Sequence, residues 1–352
     1  MMTNKLSEKL PSKVRSRIGL MVVVGILLAA GWLLMQRDAV EPEVVPLEPV
    51  QVVRIGLSMQ PSNALTMIAL ANGYFQQLGI EPVVKKYPSG KRALIDGLYA
   101  GEVDITASSD VPVAMAGLEG RDIRILATSF KADNVNSVVA RRDCCIEESA
   151  DLKGKKIATQ RSSAVHFFLS LYLLEHGLKE EDVLLSYMKA EQLPLALARG
   201  DIDAFSMREP YISQASEMLD GNVVVLSEPG LYQQVELILI RSSLQEKSTD
   251  LIDRYLRALL KAETFAASQP KKAIGITAEY LGVEQESIAE IWPTFKLRVE
   301  LGQATLLLLE REARWAINNK MTSASKVPNY MGMVAPEFLY SIKPAAVSVI
   351  RE

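Results

Sequence analysis

From Gln51 to Leu226 short apolar runs with β character alternate with amphipathic segments of helical length, and this rhythm constrains the fold more than any other feature of the chain. Strands are expected at 52–57, 81–87, 104–107 and 123–128, with helices at 63–71, 91–100 and from Pro112 between them. A second series of the same kind places strands at 137–141, 155–159, 183–188, 203–206 and 223–226. Its helices run to His176, over 193–199 and from Pro210. Two such series make two parallel or mixed sheets, each covered on both faces. After Gly230 one more strand is expected at 235–241, and then 251–267, 270–281, 285–291 and 305–319 are helical. The simplest path crosses between lobes near 136–141 and returns near 235–241. That gives lobe 1 from 51–137 and 236–352, lobe 2 from 138–235, and a hinge of two crossing strands. Ligands of open α/β sheets bind beyond the carboxyl ends of strands, so the strand-to-helix loops of both lobes should line one cleft.

Composition suits this architecture. At 352 residues, 49% hydrophobic and 23% charged, the chain can bury the core of one two-lobed domain or of two domains. The net charge of -3 leaves no basic excess for nucleic acid. Cys144 and Cys145 are adjacent and cannot staple distant segments; two free thiols on a loop are expected, with a strained vicinal disulfide as the alternative in an oxidising compartment. With His166 and His176 as the only histidines and no CxxC, neither a metal site nor a cofactor is expected.

The segment ahead of the lobes sets the compartment. Residues 18–35 are an uncharged apolar run, preceded by Lys5, Lys9, Lys13, Arg15 and Arg17 and followed by Arg37. The run exceeds a signal-peptide core, and its best small-residue cleavage candidate, at 29–32, lies inside it. An uncleaved single-pass anchor in the inner membrane is therefore expected, with 1–17 as a cytoplasmic tail; a cleaved signal peptide is the alternative. Either way the lobes lie in the periplasm or outside the cell. Residues 36–50, rich in proline and glutamate, read as an extended stalk with a reach of about 40 Å at roughly 3 Å per residue.

Chemistry concentrates where strands give way to helices. After the strand at 155–159 come Gln160, Arg161, Ser162 and Ser163, and then an apolar segment to Gly177. First-turn amides and the positive end of the helix dipole favour an anion, to which two hydroxyls and a guanidinium can add donors. The alternative is a plain N-cap with Arg161 solvated. A weak internal echo supports two related lobes: Ala100-Gly101-Glu102-Val103-Asp104-Ile105 and Arg199-Gly200-Asp201-Ile202-Asp203-Ala204 each end a helix and begin a strand. Each strand leads to an acid near a proline, Ser109-Asp110-Val111-Pro112 and Arg208-Glu209-Pro210. Asp110 and Glu209 read either as helix caps or as cleft residues facing each other from opposite lobes.

Several segments then match a known pattern in order: Ala71-Asn72-Gly73-Tyr74-Phe75-Gln76-Gln77-Leu78-Gly79-Ile80, the two Gly-x-x-Asp echoes, Asp151-Leu152-Lys153-Gly154-Lys155-Lys156-Ile157-Ala158, Glu209-Pro210-Tyr211, and the tail Ile342-Lys343-Pro344-Ala345-Ala346-Val347. Over residues 51 to 350 the chain resembles the solute-binding proteins of ABC importers for aliphatic sulfonates, taurine and nitrate, which share their fold with a thiamin-pyrimidine synthase. The resemblance implies a two-lobed periplasmic binding protein of type II fold. Its pocket would use Gln60, Ser62 and Asn63, Ser89 and Gly90, Ser108, Ser109 and Asp110, Arg161, Ser162 and Ser163, and Arg208 with Glu209; His166, in the first turn of its helix, could touch the ligand. Relatives often carry an aromatic residue before Glu-Pro, where this chain has Arg208. Arg208 adds a fork for an acidic group and Asp110 suits an amine, so a zwitterion such as an amino-sulfonate fits both. The implied partners are a small solute, an ABC permease with its ATPase, and the membrane through the N-terminal helix; a monomer is expected. A binder of a thiamin-precursor pyrimidine and a solute sensor or adaptor are the alternatives, though residues 1–17 are short for a signalling output. A pyrimidine synthase-like enzyme fits less well, because no GxSxG, HExxH, Gly-rich phosphate loop or cysteine-rich motif occurs.

Overall fold

The computed structural model describes residues 50–349. The expected tail, the anchor at 18–35 and all but the last residue of the stalk lie outside these residues; among the described residues no helix is long and apolar enough to cross a membrane. In chain order the strands are β1 (Gln51–Ser58), β2 (Ile80–Tyr87), β3 (Ile105–Ser109), β4 (Ile123–Ala132), β5 (Ser137–Arg141), β6 (Lys156–Thr159), β7 (Leu184–Tyr187), β8 (Ala204–Met207), β9 (Val223–Leu226) and β10 (Gln234–Arg241). They form two five-stranded sheets, ordered β2-β1-β3-β10-β4 and β7-β6-β8-β5-β9. In each sheet three parallel strands are joined to an antiparallel one contributed by a crossing of the chain, β10 in the first and β5 in the second.

Burial follows strand position. β3, in the middle of its sheet, is buried at every residue, whereas β2 at the edge exposes Glu81, Val84, Lys85 and Lys86 and accommodates Pro82, which cannot donate to a ladder. The long helix Thr249–Ser268 sets Leu251, Ile252, Tyr255, Leu256, Leu259 and Ala262 as one stripe against Val53, Ile55 and Ile68. The second sheet is packed on both faces: Val138 and Ala140 meet Phe167 and Phe168 of the helix Ala164–Glu175, while Val139, Phe205 and Met207 meet Leu193, Leu197 and Tyr211. Neighbours along β5 point to opposite faces, as the period of two requires.

The lobes are linked differently from the expectation. Residues 137–141 and 234–241 lie inside the sheets, and the chain crosses in irregular segments, 133–136 and 227–233. Hydrogen bonds fasten the two crossings together: Asn136 Nδ2 donates to Gln234 Oε1 at 3.1 Å, the Ser137 and Ser227 hydroxyls are 2.9 Å apart, and the Gly230 amide donates to the Asp133 carbonyl at 3.4 Å.

The internal echo has a physical counterpart. Gly101 and Gly200 both adopt left-handed backbone, with φ of 75° and 76°, and each faces an arginine from its sheet's antiparallel strand. Arg241 Nη1 donates to the Leu98 carbonyl at 3.1 Å, and Arg141 Nη1 to the Leu197 carbonyl at 3.3 Å, so each arginine caps the carboxyl end of the preceding helix. Asp104 and Asp203 then accept from the amides of Arg54 and Lys156 at 3.0 and 2.8 Å.

Candidate functional site

The carboxyl ends of the strands in both lobes converge on one polar cluster. From the turn after β1, Gln60 Oε1 accepts from the Gly90 amide at 3.3 Å. Asn63 Nδ2 donates to Ser58 Oγ at 2.6 Å and to Glu236 Oε1 at 3.1 Å. Ser89 caps its helix by accepting from the Arg92 amide at 3.3 Å, and it also accepts from Gln160 Nε2 of the other lobe at 3.1 Å. Two further bonds cross the cleft. Tyr211 Oη donates to the Pro88 carbonyl at 2.6 Å, and Lys91 Nζ donates to the Arg161 carbonyl.

Gln60, Ser62, Asn63, Ser89, Gly90, Ser108, Ser109, Asp110, Ser162, Ser163, His166, Arg208 and Glu209 are all buried. Burial of polar groups costs free energy unless they are hydrogen-bonded, so unpartnered atoms mark where further recognition can occur. Gln60 Nε2, Ser108 Oγ and both Nε and Nη1 of Arg208 are such atoms. Burial drives the Arg208 pKa down from the usual arginine range, opposed by the negative charge of Glu236 and Asp110.

Glu236 escaped the sequence reading. It lies on β10 opposite Ser109 and is fully buried, with burial raising its pKa to about 7 against the pull of Arg208 and of the Ser62 and Asn63 side chains. The only available signal was an acid within the apolar run Val235-Glu236-Leu237-Ile238.

Other predicted residues have their side chains engaged by the protein. Asp110 Oδ1 accepts from Tyr232 Oη and from its neighbour's amide, Val111, at 2.9 Å, and Oδ2 from the Val235 amide at 2.9 Å, so this carboxylate anchors the returning chain and is not free to read an amine. Glu209 Oε2 accepts from the Ser213 amide at 3.1 Å, which makes it a cap of the helix Tyr211–Met218. His166 accepts from the Ser162 amide at Nδ1, 3.2 Å, and lies 3.2 Å from Glu180 at Nε2, with Tyr187 and Trp315 edge-on to its ring. It therefore positions Ser162, whose φ of 49° is left-handed, a conformation costing roughly 1 kcal/mol in a non-glycine residue. Neither serine caps the helix through its side chain: the Ser163 hydroxyl donates backward to the Gln160 carbonyl, and the Ser162 hydroxyl faces Met321 Sδ at 3.9 Å.

Arg161 is exposed, at the mouth of the cleft. Its guanidinium lies 5.3 Å from the Tyr187 ring centroid and lines, with Lys91, Arg92 and Lys189, a groove of about 310 Å³. Cys144 and Cys145 are unbonded thiols; Cys144 Sγ lies 3.6 Å from Asp203, at the start of β8 and thus at the opposite end of that strand from Arg208.

Similar proteins share this framework. A protein of Escherichia coli (strain K12) named as an aliphatic sulfonates-binding protein is 27% identical over 205 residues, which cover 58% of this chain and 63% of that protein. The taurine-binding periplasmic protein of the same organism is 24% identical over 217 residues, 60% of this chain and 66% of that one. Among solved structures, the alkanesulfonate-binding protein SsuA from Xanthomonas axonopodis pv. citri bound to MOPS superposes with a TM-score of 0.70 at 20% identity, covering 82% of this chain and 99% of that chain, which establishes the two-sheet periplasmic binding protein fold. The desulfurization enzyme DSZB has the same fold, with a TM-score of 0.60 at 19% identity, covering 83% of this chain and 98% of its own. The NMT1/THI5-like family model matches residues 60–273, more than half of the chain, and the protein belongs to that family.

Proposed function

We propose that this protein captures a small anionic or zwitterionic solute of the sulfonate class between its lobes and presents it to the permease and ATPase of an ABC importer. The observation that carries the reading is Arg208, a buried guanidinium with unpartnered Nε and Nη1 within electrostatic reach of Glu236 and Asp110. A guanidinium edge matches the paired oxygens of a sulfonate or carboxylate, and such a contact is strong where water is excluded. Closure brings the Gln160–Ser89 and Tyr211–Pro88 bonds together with ligand contacts from both lobes, so ligand favours the closed form and the permease can read it. The homologues named for a ligand are binding proteins, and the present site supplies no free thiol or imidazole at the cleft, so we read the chain as a binder and not an enzyme.

Tethering through 18–35 is part of the proposal: an uncleaved anchor would hold a monomer at the outer face of the inner membrane at high local concentration. The intact mass of the membrane fraction distinguishes a retained from a cleaved segment. For the ligand, thermal stability and titration calorimetry of the full-length protein against alkanesulfonates, taurine, nitrate, carboxylates and pyrimidines is the direct test. Arg208→Ala should weaken the preferred anion about 30- to 1000-fold, corresponding to roughly 2–4 kcal/mol. A response confined to heterocycles would instead favour a thiamin-precursor pyrimidine, a second reading supported by the buried acid Glu236, which suits a protonated aminopyrimidine.

A further inference from the structure

An anion pocket has no need of a buried acid, yet Glu236 is wholly enclosed at the point where the first lobe meets the cleft. Its Oε1 is held by Asn63 Nδ2 at 3.1 Å and lies against Gly90, where a methyl group would come within 3.0 Å of it. The Ser62 hydroxyl faces the same carboxylate, but Oε2 itself has no partner in hydrogen-bond geometry. Arg208 acts on this carboxylate from the other lobe, and it too keeps unpartnered polar atoms. Two buried groups of opposite charge, each with unused hydrogen-bonding capacity, are complementary to a ligand with an acid at one end and a cationic nitrogen at the other. Both carboxylate oxygens of Asp110 are taken by protein donors, and Glu209 is held at Oε2 by the Ser213 amide as a helix cap.

We propose that Glu236 is a specificity-determining residue of the cleft, accepting a hydrogen bond from the cationic nitrogen of a solute whose acidic end Arg208 holds, so that the site takes amino-sulfonates and similar zwitterions in preference to sulfonates lacking the amine. The inference rests on the sulfonate-class reading above. It carries a pH signature. The groups that face Glu236 are Arg208, Asp110, Ser62 and Asn63, and its pKa lies at about 7. An ammonium favours the ionised carboxylate, whereas a bare sulfonate favours the protonated one. Between pH 6 and 8 affinity should therefore rise for the zwitterion and fall for the simple anion. Asp110 titrates nearby, so the Glu236 contribution is the part of each slope that disappears in Glu236→Gln.

The test is titration calorimetry of the full-length protein with taurine and with ethanesulfonate, which differ by the amine, at pH 6, 7 and 8 for wild type and Glu236→Gln. At pH 8 the wild type should favour taurine by about tenfold or more, and the variant by less than about twofold, with slopes of opposite sign in the wild type alone. Equal binding of the two probes by the wild type at pH 8, or undiminished discrimination in the variant, overturns the role of Glu236 and leaves the sulfonate reading standing. Binding of neither probe, nor of any longer alkanesulfonate, overturns both. Should Glu236→Gln not fold, Glu236→Asp replaces it in the same titrations, and parallel wild-type slopes overturn the inference in either case.

Discussion

The Val235 amide donates to Asp110 Oδ2 at 2.9 Å, which fastens the returning chain to the start of the helix Asp110–Leu118 where it enters the first sheet. Tyr232 Oη, on the crossing itself, donates to Oδ1 of the same carboxylate and lies 3.4 Å from Glu312 Oε1. The helix Gln303–Asn318 that carries Glu312 also places Trp315 against His166 and Phe167, at ring separations of 5.2 and 5.1 Å, and so contacts the second lobe. Asp110 thus sits where one chain crossing and one bridging helix meet, with both of its carboxylate oxygens taken by protein donors.

Replacing Asp110 by alanine should cost about 3–5 kcal/mol, because it strands the Tyr232 hydroxyl and the Val235 amide in a buried setting. Chemical denaturation of the ligand-free protein measures this. A loss below about 1 kcal/mol would show that the crossing does not depend on the anchor.

Burial raises the pKa of Asp110 to about 6 and that of Glu236 to about 7. The folded protein then holds these protons more tightly than the unfolded chain, so their stabilising contribution is complete at acid pH and is lost as pH rises through those values. The melting temperature of the ligand-free protein should fall between pH 5 and pH 8. Glu236→Gln should flatten the upper part of that fall and melt above wild type at pH 8, by a margin reflecting about 1.4 kcal/mol per unit of displaced pKa at most. Melting temperatures that rise across this range would contradict the assignment.

Gly90→Ala probes the packing under Glu236. The added methyl would meet Glu236 Oε1 and Ser108 Cα at 3.0 Å and the Ala107 carbonyl at 3.3 Å, in a backbone conformation that alanine otherwise accepts. Overpacking of this kind should cost about 1–3 kcal/mol and displace the carboxylate, lowering solute affinity as well. Gly332→Ala, with nothing within 4 Å, is the control and should stay within about 0.5 kcal/mol of wild type. Unchanged melting and affinity in Gly90→Ala would mean that the site has room to shift.

What the sequence disclosed and what it hid follow from the range of the interactions involved. The bounds of the helix Pro270–Leu281 were legible because proline opens it and Gly282 closes it in left-handed backbone, both local signals. The strand-end positions of Gln60, Asn63, Ser89 and Gly90 were legible for the same reason. Glu236 was not, because an acid in a strand reads as solvent-facing until its register against Ser109 is known, and register is set by residues far away in the chain. Asp110 and Glu209 carried one signature for two roles, and only the partners Val235 and Ser213 separate them. His166 was placed correctly near the helix start, but Trp315, from a distant helix, closes off its ring.

Arg161 supplies the last prediction, since its position differs from that of Arg208 in a kinetically distinguishable way. It is exposed beside Lys91, Arg92 and Lys189 at the mouth of the cleft, and Arg92 is partly neutralised by Asp96 at 2.5 Å. Exposed charges of one sign raise the encounter rate of an opposite charge and contribute little once it is bound, while a buried contact governs escape. Arg161→Ala should therefore slow association of an anionic or zwitterionic solute a few-fold at low salt and leave dissociation unchanged. The difference should vanish near 0.5 M salt, where screening acts within about 5 Å. Burial lowers the Lys91 pKa to about 8, so association should also slow as pH rises past that value. Stopped-flow tryptophan fluorescence on wild type, Arg161→Ala and Arg208→Ala separates the two arginines: the first should change the association rate, the second the dissociation rate. Faster dissociation with normal association in Arg161→Ala would instead place Arg161 on the bound solute, as the resemblance to sulfonate-binding proteins implied.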